Sequence, residues 1–225
     1  MKNLNVKATD RILIISPHPD DESIACGGIL CTYGMQCDVC LCTDGSKCRT
    51  QLPSSVIKRI RMKEFKNAMD FCNVKQRIML NITDGTVDKA KSMFRSLDVS
   101  KYDIIFVPQK KDGHKDHRNI YRQFVFSLYK YHKKLKRGAV ILQYEVWTPL
   151  ENPSRFLDIT SFIDKKKNLI GIYESQLKNV PYIQMALGLN AYRGAYQNVA
   201  YAECYQEVKI PLKMLLRKGE EKKYE

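Results

Sequence analysis

Short apolar runs alternate with helix-length segments along most of this chain, and that alternation constrains its fold more than any other feature. Residues 11–16 (RILIIS), 37–43 (CDVCLCT), 77–81 (RIMLN), 103–107 (DIIFV) and 139–147 (AVILQYEVW) read as strands. The intervening residues 22–34, 54–72, 86–97 and 117–135 read as helices, followed by helices over 161–174 and 181–192 and an apolar–polar segment near 199–210. Strands that alternate with helices build a parallel sheet covered on both faces. The expectation is an α/β fold of the doubly wound kind, one domain over residues 1–216, with a disordered tail at 217–225 (RKGEEKKYE). No G-x-G-x-x-G follows the first strand, so dinucleotide binding is not supported.

With 38 Lys+Arg against 24 Asp+Glu, the chain carries a formal charge of +14. Such an excess suits nucleic acid, an anionic surface or an anionic substrate. A basic nucleic-acid-binding module is therefore the competing class of function. It would need basic side chains interleaved with exposed aromatics, and no such stretch is present. No apolar run approaches the ~20 residues of a bilayer span. The opening MKNLNVKATDR lacks the apolar segment of a secretory leader. A cytoplasmic location follows, and with it eight reduced cysteines rather than a disulfide framework. Cys37, Cys40 and Cys42 lie within one strand, where cysteine serves as a small hydrophobe, with Cys37 on one face and the other two on the opposite face.

Two turns carry the chemistry. Ser16-Pro17-His18-Pro19-Asp20-Asp21-Glu22 follows the first strand, and Asp112-Gly113-His114-Lys115-Asp116-His117-Arg118 follows the fourth. Either alone has a plain reading: the first as a helix N-cap with acidic residues in its first turn, the second as a surface turn. Together they put three of the four histidines at strand C-termini, where open α/β sheets bind their ligands. In the common doubly wound order those two strands are neighbours, so the turns face one crevice. Two histidines and a carboxylate form a three-ligand catalytic zinc site. A further carboxylate can take a proton and a further histidine can steady an oxyanion, which is an inventory for metal-assisted hydrolysis.

His18-Pro19-Asp20-Asp21-Glu22, then Gly27-Gly28, then His114-x-Asp116-His117 resemble the LmbE/PIG-L family of N-acetylglucosaminyl-phosphatidylinositol de-N-acetylases and their bacterial relatives. Thr43-Asp44-Gly45-Ser46, Arg61-x-x-Glu64, Asp84-Gly85, Tyr173-x-Ser175-Gln176 and Tyr201-Ala202-Glu203 follow in family order. Ser46 stands where the family usually carries Glu. The resemblance implies a Rossmann-like zinc deacetylase acting on an N-acetylated amino-sugar conjugate, with Fe2+ as the alternative ion in the cell. It assigns His18, Asp21 and His117 as metal ligands, Asp20 as general base, His114 as oxyanion stabiliser and Asp116 as the residue that orients it. A metal amidohydrolase acting on a non-sugar or longer-acyl amide is the nearest alternative, and the oligomeric state stays open.

Glu64 falls on the apolar stripe of the second helix and needs a partner, for which Arg61 is the nearest candidate. Arg61 reaching the substrate is the other reading. Asp84 is expected either to bind a sugar hydroxyl or to shape a turn. Tyr192, Arg193 and Glu203 could line the site from the C-terminal part. Residues 47–77 hold nine basic residues against two acids, and residues 130–137 hold five against none. Of the first cluster, Lys47 and Arg49 are placed at the crevice rim to attract an anionic substrate. The second lies at the far end of its helix, where it complements the negative helix terminus.

Overall fold

The computed structural model describes residues 1–47 and 51–209. Its chain opens with β1 (Lys2–Asn3), β2 (Ile12–Ser16), α1 (Asp21–Tyr33), β3 (Cys37–Thr43), α2 (Ser54–Phe71), β4 (Gln76–Ile82) and β5 (Ile104–Pro108). It continues through α3 (Lys115–Lys130), β6 (Val140–Tyr144), β7 (Arg155–Asp158), α4 (Ile163–Gly171), α5 (Glu174–Leu177), α6 (Tyr182–Ala195) and β8 (Ala202–Glu207). Among the described residues the strands form one eight-stranded sheet in the order β1-β7-β8-β6-β5-β2-β3-β4. β8 alone runs against its neighbours; the rest is parallel. This is an α/β fold, mostly parallel, with helices on both faces.

The two faces explain why β2 reads as a continuous apolar run. Ile12 and Ile14 pack with Ile29 of α1, Phe65 of α2 and Leu169 of α4. Leu13 and Ile15 pack with Ile120 and Phe124 of α3 and with Val87 and Phe94. Cys37 belongs to the first core, and Cys40 and Cys42 to the second. The seven described cysteines are all free thiols, and Cys48 lies outside the described residues. β2 and β5 pair directly, Ile12 with Ile104 and Ile14 with Phe106, so the turns that follow them open side by side.

Four expectations are corrected. Residues 86–97 form no α-helix; a 3-10 turn at Val87–Lys89 leads into successive turns joined by i→i+3 bonds such as Leu97 N–H to the Phe94 carbonyl. Val87, Ala90, Phe94 and Leu97 have the spacing of a helical stripe, yet Val87, Phe94, Leu97 and Val99 are each buried against the sheet from separate turns. α3 ends at Lys130 rather than near residue 135, and His132 follows with φ 46°. Lys133 then donates to the carbonyls of Arg95 and Leu97, and Lys136 pairs with Asp103 at 2.7 Å, so part of that basic run fastens a loop rather than capping the helix. The helix expected over 161–174 is broken into a 3-10 turn, α4 and α5. β1 and β7 are invisible in the sequence because two- and four-residue strands carry no period. The tail at 217–225 lies outside the described residues.

Candidate active site

Every parallel strand near the centre of the sheet delivers a loop to one cleft of about 320 Å³, lined by His18, Asp20, Asp21, Lys47, Arg61, Asp84, His114, Trp147, Gln176, Asn179, Val180 and Tyr182. The turn after β2 supplies its floor. Asp20 starts α1 with φ 136° and ψ −32°, a conformation that a side-chain-bearing residue adopts only under constraint. The constraint is visible. The Asp20 carbonyl accepts from the N–H groups of Ser23 and Ile24, both at 3.0 Å, and Arg61 Nη2 donates to Asp20 Oδ2 at 2.9 Å and to the Pro19 carbonyl at 2.6 Å. Beneath it, fully buried Glu22 accepts from Ser16 Oγ and Ser23 Oγ at 2.8 Å and from the Tyr173 hydroxyl at 2.6 Å. Burial pushes the Asp20 carboxyl up to about 7 against the opposing pull of Arg61.

Asp21 joins the two turns. Its Oδ2 stands 3.0 Å from His18 Nδ1 and 3.1 Å from His117 Nε2. Burial disfavours its charge, yet His117 and His18 outweigh that and hold it well below the usual carboxylate range. Behind His117, Asp112 Oδ1 lies 3.5 Å from Nδ1, and on the other side His18 Nε2 is 3.4 Å from Asp84 and 3.5 Å from Asp116. Against the cost of burial, Asp21 and Asp112 raise His117 to about 9. His18 is likewise raised: burial opposes its charge, but Asp116, Asp21 and Asp84 prevail.

The cluster thus demands positive charge, and it has ligand atoms to spare. His18 Nε2 and both ring nitrogens of His117 are buried and make no well-formed hydrogen bond, facing only the carboxylates of Asp84, Asp116, Asp21 and Asp112. Ligand atoms of His18, His114 and His117, and separately of His18, Asp84 and Asp116, lie within 4.8 Å of one another. Imidazole nitrogens and carboxylate oxygens in this number suit a divalent transition ion such as zinc.

His114 differs from the other two rings. It caps α3, and its Nδ1 accepts the Asp116 main-chain N–H at 3.2 Å. Accepting at Nδ1 puts the proton of the neutral ring on Nε2, which leaves that nitrogen as a donor. Burial, followed by the charges of His18 and His117, holds His114 below its ordinary pKa. Asp116 meets His114 through its main-chain N–H, while its carboxylate accepts from Gly85 N–H at 3.2 Å and faces His18.

A family model described as GlcNAc-PI de-N-acetylase, PIG-L, matches residues 13–127, just over half of the chain. The chain belongs to the PIG-L family. A curated relative from Bacillus cereus, a probable N-acetyl-alpha-D-glucosaminyl L-malate deacetylase 2, is 27% identical over 184 residues, covering 73% of this chain and 83% of that protein. The structure of N,N'-diacetylchitobiose deacetylase from Pyrococcus horikoshii is similar with a TM-score of 0.72 at 21% identity, over 88% of this chain and 84% of that one. The 4-carboxy-2-hydroxymuconate hydratase of Pseudomonas putida KT2440 reaches 0.71 at 19% identity, over 93% and 100%. Those two structures establish a shared fold, and a fold shared by a deacetylase and a hydratase leaves the reaction to be argued from the site.

Within this PIG-L chain several sequence expectations change. Glu64 pairs with Ser175, accepting from its N–H at 2.8 Å and its hydroxyl at 2.7 Å, because Arg61 is already committed to Asp20 and to the Pro19 and Gly45 carbonyls. Arg193 is held by Glu145 and by the Leu150 carbonyl, Tyr192 is exposed, and Glu203 is buried against Lys166; none of the three lines the cleft. Lys47 is exposed at the rim, its N–H bonded to Asp84 Oδ2 at 3.1 Å, while Arg49 lies outside the described residues. Asp84 faces both His18 and Lys47, and Asp44 fixes it by accepting its N–H at 3.1 Å. Sequence reasoning misses Asp112, Trp147 and Tyr182 as parts of the site. Asp112 carries a usable signal, a carboxylate two residues before His114 in the same turn, and Trp147 carries another, a place just past β6, the strand beside β5 whose turn holds His114.

Proposed function

We propose that this protein is a zinc-dependent N-deacetylase that removes acetyl from an N-acetylated amino-sugar conjugate of the N-acetylglucosamine type, with iron(II) as the alternative ion in the cell. The observation that carries the proposal is the convergence of His18 Nδ1 and His117 Nε2 on buried Asp21 Oδ2, beside the Arg61-held Asp20. Family membership and the Bacillus cereus relative support the acetyl-sugar chemistry. His18, Asp21 and His117 would hold the ion. When bound, it supplies Lewis acidity to a water molecule and to the acetyl carbonyl. Asp20 takes the proton from the attacking water and returns it to the leaving amine, while Arg61 keeps its carboxylate aimed into the cleft. His114 donates from Nε2 to the oxyanion that develops on the acetyl oxygen. Asp112 orients His117 through Nδ1, as a carboxylate behind a ligand histidine does.

The test is acetate release from a panel of N-acetylglucosamine conjugates. Acetate and free amine should appear in equal amounts, vanish on chelation and return with zinc. Metal-loaded protein that releases no acetate from any conjugate overturns the proposal. Equal rates on simple non-sugar acetamides would reassign it to general amide hydrolysis.

We also propose that the rim favours an anionic conjugate, through Lys47. Lys47→Ala is expected to lower kcat/KM by about two- to five-fold on a phosphate- or carboxylate-bearing substrate, as an exposed charge would. The loss should shrink as salt rises and be absent on a neutral conjugate. An equal loss on neutral and anionic substrates would discard the idea.

A further inference from the structure

One wall of the cleft is unlike the rest. Trp147, the chain's single tryptophan, lies just beyond the end of β6 among carboxylates, imidazoles and amides, and is 40% exposed. Its position is fixed from several sides. Its main-chain N–H donates to Asp112 Oδ2 at 3.3 Å, the carboxylate whose other oxygen accepts the His114 main-chain N–H at 2.7 Å and faces His117. The next residue, Thr148, accepts at Oγ1 from Gly113 N–H at 2.9 Å and at its carbonyl from Gln109 Nε2. The indole runs nearly parallel to the His114 ring, with centroids 6.4 Å apart and planes at 23°, and meets Tyr182 edge-on at 5.7 Å.

We propose that the Trp147 indole is the platform on which the apolar C–H face of the substrate's sugar ring lies, setting which amide is presented to His114 and Asp20. The inference rests on the amino-sugar reading above. A pyranose is apolar on its C–H faces and polar around its rim, so it needs one flat apolar surface and several polar partners at its edge. Pockets that bind such molecules pair an aromatic surface with a few placed polar groups. Here Trp147 provides the surface, and Asp84, Gln176 and Asn179 stand along the same cleft. An aromatic side chain also does this at low entropic cost, because so few torsions need to be fixed. The main chain beneath the indole and the main chain beneath His114 both donate to Asp112, which anchors the two segments to one carboxylate.

Trp147→Ala should raise KM by about ten-fold or more and leave kcat within about three-fold, a loss of the size expected for a stacked ring. Trp147→Phe should restore most of it. The tryptophan is also the only indole reporter in the chain. Titrating metal-loaded Asp20→Asn protein with an N-acetylglucosamine conjugate should therefore produce a saturable change in tryptophan emission. That titration needs no turnover, so it decides the platform even where the wild type releases no acetate, which would fault the deacetylase reading alone. Unchanged KM in Trp147→Ala, or no emission change at saturating conjugate, overturns the platform. So does a fall in kcat with a displaced pH profile and unmoved KM, which would mean that Trp147 acts through His114.

Discussion

Asp20→Asn is expected to lower turnover by about 10²–10⁴-fold, the usual worth of a positioned general base, while leaving bound metal and fold intact. The substitution keeps the shape of the side chain and the oxygen that Arg61 contacts at 2.9 Å. It removes the ability to hold a proton in transit and the charge that pairs with buried Arg61, so Tm is followed beside turnover. The strained backbone at φ 136° is held by the start of α1 and by the Pro19–Arg61 bond, neither of which depends on the carboxylate charge. Metal content measured alongside acetate release separates the outcomes. An Asp20→Asn protein with a full complement of metal and wild-type deacetylation would show that another group takes the proton. Loss of metal together with activity would place Asp20 among the ligands instead.

Much of the site was legible in the sequence because it obeys two local rules. The histidines and carboxylates of the site sit in the turns after parallel strands, and adjacent central strands bring their turns together; His18 and His117 come within reach of Asp21 through β2 and β5. What was not legible depends on contacts between distant segments. Nothing near Glu64 indicates Ser175, 111 residues away, as its partner. Nor can spacing show that Arg61 skips its helix neighbour to reach Asp20, or that residues 87–99 cover the sheet without an α-helix. The cleft's far wall, Gln176 to Tyr182, is set by how α5 and α6 dock, which no period in the sequence records.

Gly27-Gly28 is the same lesson at closer range, since the pair was visible and its cause was not. A Cβ on Gly27 would lie 2.8 Å from Lys166 Cγ, and one on Gly28 would lie 2.3 Å from Ile159 Cγ2. The α1 backbone kinks at Cys26 and passes flush against α4. There Lys166, with no exposed surface, donates to Glu203 Oε1 at 2.7 Å and to Asn190 Oδ1 at 2.8 Å. The same Glu203 accepts from Gly28 N–H at 2.7 Å and from the Tyr205 hydroxyl at 2.6 Å. One buried ion pair therefore ties α4, α6 and β8 to the helix that begins at the catalytic turn.

Removing one member of such a pair leaves the other charged and buried. Lys166→Ala is expected to cost about 3–5 kcal/mol of stability. For a chain of this length each kcal/mol moves the midpoint by roughly 2–4 °C, so Tm should fall by about 10 °C. Lys166→Met in a Glu203→Gln background keeps the methylenes that pack on Gly27 and leaves no buried charge, so it should recover most of the loss. Urea and thermal unfolding of the wild type, Lys166→Met, Glu203→Gln and the double variant give the coupling directly. A single-variant loss below about 1 kcal/mol, in the range of exposed ion pairs, would mean that the Lys166–Glu203 contact is not a stabilising link in this fold. The double variant also tests position against stability. If it regains Tm but still releases acetate slowly, the charge pair also sets where α1, and so Asp20 and Asp21, stand relative to His117.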